Sequence, residues 1–100
     1  MSDYIFVYRL PGGGSRTAPS DETRGQWEKF LGTLGDRLVQ IGDPVFSANT
    51  VGAGQAETMV SGYSIVRADS LDQASKLAEG CPALRYGGAV EVGEITPLTM

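Results

Sequence analysis

Tyr4, Ile5, Phe6, Val7 and Tyr8 form an unbroken β-branched and aromatic run, which predicts a buried first strand. Pro11, Gly12, Gly13 and Gly14 break it, and a loop is expected through Pro19. Ser20 or Asp21 then supplies a helix cap, with Asp21 and Glu22 placed to suit the positive end of the helix dipole. Trp27, Phe30, Leu31, Leu34, Leu38 and Ile41 recur at spacings of three and four, so one amphipathic helix is predicted to run to Ile41 and stop at Gly42 ahead of Pro44. Gly32 and Gly35 fall inside that helix, where small residues would let it sit close to a sheet.

Residues 45–51 predict a second strand and residues 52–55 a turn. Residues 58–67 predict a third strand, with Met59, Ser61, Tyr63, Ile65 and Arg67 on one face and Val60, Gly62, Ser64 and Val66 on the other. Ser70 and Gln73 make a capping box for a second helix whose buried stripe is Leu71, Ala74, Leu77 and Ala78, stopped at Gly80 before Pro82. After Gly87 and Gly88, residues 89–95 alternate as a fourth strand. The order strand, helix, strand, strand, helix, strand predicts an α+β, ferredoxin-like βαββαβ fold. It places both helices on one face of a four-stranded antiparallel sheet. The other face then needs cover, and a second copy of the chain, forming a dimeric α+β barrel, supplies it.

A chain of 100 residues is the size of one domain. Its net charge of −4, with eight basic residues scattered along it, argues against a nucleic-acid partner and against a basic membrane-surface helix. No apolar run is long enough to span a bilayer, and the N-terminus lacks the pattern of a secretory leader. A single cysteine, Cys81, gives no intrachain disulfide, so the cytoplasm is the expected compartment.

The run Ser61-Gly62-Tyr63-Ser64-Ile65-Val66-Arg67-Ala68-Asp69-Ser70-Leu71-Asp72 continues into Gly80-Cys81-Pro82 and Gly87-Gly88-Ala89-Val90-Glu91-Val92. With the Gly42-Asp43-Pro44 turn and the opening strand, it resembles the YCII-related family of small bacterial proteins, which includes the DGPF-type members. The resemblance implies a dimeric α+β barrel and, in some members, a His–Asp acid–base pair facing a pocket. Here the chain departs from the family. It has no histidine, Trp27 stands at the first-helix position that carries His in some relatives, and Cys81 occupies the position before the proline. The Asp-Gly-Pro-Phe motif is missing; Ala56-Glu57-Thr58 is similar to the segment that follows it.

With that mechanism closed, Asp69 and Asp43 are the candidate acid–base residues, one ending the third strand and the other following the first helix. A carboxylate in an apolar pocket can shuttle a proton; otherwise both residues serve turns and a helix start. Tyr4, Tyr8, Trp27, Tyr63 and Cys81 are candidates to line a cleft for a flat organic ligand, with Arg9 or Arg67 attracting a carboxylate. As a nucleophile Cys81 has no imidazole base and follows a helix C-terminus, so a packed thiol is expected. The triple glycine lacks the Lys-Ser/Thr ending of a phosphate loop and reads as a lid or linker. No cofactor and no metal site is expected. Three functions remain: a small-molecule-binding homodimer, a cofactor-free enzyme acting on an aromatic or lactone substrate through Asp69 or Asp43, and a protein-interaction module.

Overall fold

The computed structural model describes residues 1–12, 20–54 and 57–98. Most of the loop predicted after Pro11 and the Gln55 end of the predicted turn therefore lie outside the described residues. The elements run β1 (Ser2–Pro11), α1 (Asp21–Leu34), a 3-10 turn (Gly35–Arg37), β2 (Leu38–Gln40), β3 (Thr58–Ala68), α2 (Leu71–Ala78), a second 3-10 turn (Pro82–Tyr86) and β4 (Ala89–Ile95). The sheet is antiparallel in the order β2-β3-β1-β4, the arrangement of a ferredoxin-like βαββαβ fold.

Strand alternation decides where the core sits. Tyr4, Phe6 and Tyr8 of β1 and Ser64, Val66 and Ala68 of β3 are buried on one face, under Phe30 and Leu34 of α1 and Ala74 and Ala78 of α2. Both helices thus cover one side, as expected. On the opposite side Ile5 pairs with Ile65 and Val7 with Tyr63, and Ile95 faces Asp3. These apolar side chains are half-buried in the single chain. Two ion pairs flank them, Asp3 with Arg67 at 3.1 Å and Arg9 with Glu91 at 3.7 Å.

The first helix ends earlier than its apolar spacing predicts. Gly35 adopts φ +54° and donates its N–H to the Gly32 carbonyl, closing the helix at Leu34. Gly35 is thus a stop signal rather than an interior residue, and an added Cβ at Gly32 would meet nothing within 4 Å. Neither glycine brings the helix close to the sheet. The chain released at Gly35 supplies β2 from residues 38–40, in place of the strand predicted over 45–51.

From there residues 41–45 continue along the edge of β3 in broken pairing. Pro44 forms an isolated bridge with Gly62, and the Val45 N–H donates to the Ser61 carbonyl at 2.9 Å. Pro44 has no N–H to donate, so a regular ladder cannot persist there.

Three further expectations change. The β1–β3 register shifts between Tyr8 and Arg9, so that Tyr8 faces Gly62 while Arg9 faces Val60. The extra residue, Ser61, turns its hydroxyl to donate to the Tyr8 carbonyl at 3.1 Å. Beyond this bulge the faces exchange: Met59 joins Leu10 on the helix side, and Val60 goes with Arg9 to the open side. In α2 the Ser70 hydroxyl accepts from the Gln73 N–H, as a capping box requires, but Gln73 reaches back to the N–H of Asp69 rather than of Ser70. Leu71, placed by its spacing in the buried stripe, is half exposed at the first turn. Among the described residues no helix is long and apolar enough to cross a membrane.

Candidate functional site

Between α1 and residues 41–46 lies a cleft of about 480 Å³ on the helix side of the sheet. Trp27 and Leu31 of α1 form one wall, and residues 41–46 form the other. Tyr8, Gly62 and Ser64 make the floor, and Tyr86 of the second 3-10 turn closes one end. Tyr8 and Trp27 meet edge to face with ring centroids 4.6 Å apart, and Phe30 stands edge-on to both behind them. Three apolar side chains remain largely in solvent around the opening: Ile41, Phe46 and Tyr86 are 59%, 41% and 47% exposed. Large apolar groups gathered at the mouth of a concave, aromatic-walled space are the usual signature of a ligand site.

The polar floor is a directed chain. The Ile41 carbonyl can only accept, so the Ser64 hydroxyl, 2.6 Å away, must donate to it. Ser64 has no second hydrogen, so the Tyr8 phenol, 2.8 Å from its oxygen, must donate to Ser64. This chain ties the segment at Ile41 to β1 and β3. Burial pushes the Tyr8 phenol up to about 12, so it stays neutral throughout the physiological range.

Of the residues singled out in the sequence, Tyr8, Trp27, Asp43 and Tyr63 line the cleft. Asp43 accepts from the Tyr63 hydroxyl at 3.3 Å at the outer rim. Tyr4 is buried in the core under the helices. Arg9 and Arg67 point from the opposite face of the sheet, the former held by Thr58 and Glu91 and the latter by Asp3, so neither can draw a carboxylate into this cleft. Asp69 sits before the cap of α2, its backbone N–H donating to Gln73, outside the cleft lining and apart from Asp43. Cys81 is 1% exposed within the core, and burial raises its thiol to about 11. Among the described residues no group of three or more His, Cys, Asp or Glu side chains is arranged to hold a metal ion.

Sequence reasoning missed Ser64, Ile41, Phe46 and Tyr86. Ser64 carried a usable signal, a hydroxyl on the inward face of a strand whose neighbours there are apolar. Comparison with protein-family models, with curated proteins and with solved structures found no match to this chain.

Proposed function

We propose that this chain is a small-molecule-binding homodimer of the YCII-related type, acting in the cytoplasm, with its ligand held between α1 and residues 41–46. The observation that carries the proposal is the aromatic-walled cleft of about 480 Å³ with exposed apolar side chains at its mouth, a size suited to a one- or two-ring organic molecule. Trp27, the sole tryptophan, lines it and serves as its own reporter. A panel of planar aromatics is expected to include members that change Trp27 emission saturably at micromolar to millimolar concentration. A panel that produced no saturable change would remove the binding reading.

The homodimer rests on a different feature, the sheet face opposite the helices, which no described helix or strand covers. Its apolar centre at Ile5, Val7, Ile65 and Ile95 is flanked by ion pairs that neutralise themselves within each chain. Two copies can therefore meet there without like-charge repulsion. A stable dimer hides roughly 800 Å² per partner, and a four-stranded sheet face can supply that area. Light scattering at tens of micromolar is expected to give twice the mass of the chain. Ile65→Asp, which places a charge at the centre of that face, is expected to give the monomer with the fold retained. A monomeric wild type would overturn the assignment.

A cofactor-free enzyme is the second reading, favoured by the Asp43 carboxylate at the rim. Since Asp69 lies elsewhere, such an enzyme would work through Asp43 alone.

A further inference from the structure

Resting on the binding reading, we infer that the cleft selects ligands that donate a hydrogen bond, neutral or cationic aromatics bearing an N–H or O–H, and discriminates against aromatic carboxylates. Apart from Thr23, the described hydroxyl groups around it have spent their hydrogens on the protein. Tyr8 donates to Ser64, Ser64 to the Ile41 carbonyl, Ser61 to the Tyr8 carbonyl, Tyr63 to Asp43 and Tyr86 to Gln26. A hydroxyl whose hydrogen is committed offers a ligand nothing but lone pairs. At the floor, where Tyr8 and Ser64 are buried, an unpaired ligand acceptor would face these lone pairs and lose its hydration without replacement.

Charge at the rim acts in the same direction. Glu28 and Asp43 line the cleft as carboxylates, and Arg24, the cation beside them, is paired with Asp21. The donors left on α1, the Trp27 indole N–H, the Thr23 hydroxyl and the N–H groups of Arg24 not turned to Asp21, belong to the wall and rim rather than the floor. Among the described lining residues an anionic ligand thus meets excess negative charge with no unpaired arginine to offset it, whereas an aromatic amine or phenol meets acceptors.

Indole and benzofuran, which share a shape but differ in the N–H, provide the test, with indole-3-acetate as the anion. Titrated into the full chain by heteronuclear NMR, indole is expected to bind about fivefold tighter than benzofuran, the worth of one hydrogen bond. Indole-3-acetate is expected to be the weakest of the three. Ser64→Ala releases the Tyr8 hydrogen toward the cleft and reverses the polarity of the floor, so the indole preference is expected to vanish or invert in that variant. Equal binding of indole and benzofuran to the wild type overturns the donor selectivity while leaving the binding reading standing, as does a preference for indole-3-acetate. A preference that survives Ser64→Ala overturns the assignment to the Tyr8–Ser64 floor. Failure of all three to shift any cleft resonance removes the binding reading and the selectivity together.

Discussion

Gly42→Ala is expected to lose about 3–4 kcal/mol of stability, roughly a 15 °C fall in Tm for a chain of this size, and to abolish ligand binding along with it. Gly42 has φ +74°, which alone costs an alanine about 1–2 kcal/mol. The larger difficulty is steric. The added Cβ would lie 1.9 Å from the Tyr63 carbonyl oxygen and 2.7 Å from its carbonyl carbon, both backbone atoms of β3. A central strand does not yield cheaply, so residues 41–45 must lift away. That motion breaks the Ser64 to Ile41 bond at 2.6 Å and the Val45 to Ser61 bond at 2.9 Å, each worth about 1 kcal/mol, and removes one wall of the cleft. Gly32→Ala is the matched control. It sits in α1 with nothing within 4 Å of the new methyl, and is expected to stabilise by somewhat under 1 kcal/mol. Chemical denaturation of the two variants side by side checks both signs, and a Gly42→Ala protein as stable as the wild type would show that the segment is not anchored where the structure puts it.

Gly42 also marks how much of the fold could be read in advance. The helix and strand periods alone gave the element order, the single covered face of the sheet and the core residues Phe6, Phe30 and Ala74, because burial in those elements is enforced by spacing. The errors cluster where two local signals competed. Leu38 and Ile41 continue the helical spacing of α1, yet Gly35 precedes them and its positive φ ends the helix. Once that happens, Leu38 and Val39 become strand residues and the edge of β3 is filled earlier than expected, which displaces the second strand from residues 45–51. Likewise Met59 was assigned by strict alternation, and the Ser61 bulge reversed it. A bulge leaves no mark in a hydrophobic pattern of period two until the partner strand is known.

The candidate site was legible in part for the same reason. Tyr8, Trp27, Tyr63 and Asp43 stood out by residue type and come together at the cleft. Arg9 and Tyr4 stood out equally and do not: Arg9 points to the opposite face of β1, and Tyr4 shares the face of Tyr8 but is buried in the core, away from the cleft lining. The cleft itself lies between α1 and residues 41–46, whose course along the edge of β3 is a feature of tertiary pairing set at Gly42 and Pro44. Ile41 and Phe46 acquire their role from that pairing.

Alkaline titration is expected to unfold the protein through two core groups, with a loss of about 2 kcal/mol from each by pH 12. Burial raises the Cys81 thiol from 9.0 to about 11 and the Tyr8 phenol from 10.0 to about 12. Ser64, its hydrogen committed to Ile41, has none to offer a phenolate. Below pH 9 both groups are protonated in the folded and unfolded chains alike, so their full contribution is present. Between pH 9 and 11 the unfolded chain releases the Cys81 proton while the folded chain retains it, and between pH 10 and 12 the same holds for Tyr8. The unfolded state then binds fewer protons, and stability falls as pH rises through that window. With no histidine in the sequence, no imidazole adds a limb between pH 5 and 8. Urea midpoints measured from pH 6 to 11 are therefore expected to be level up to about pH 8.5 and to drop beyond it. Cys81→Ala is expected to delay the onset by removing the first limb. It also shrinks the second, because a thiolate at Cys81 holds the Tyr8 phenol up further. Wild-type and Cys81→Ala profiles that ran parallel above pH 9 would mean that the thiol is not shielded in the folded chain. Where the shielding holds, the same burial leaves Cys81 protonated at neutral pH, out of contact with solvent and with the cleft, so what it contributes there is packing beneath α1 and α2 and not a nucleophile.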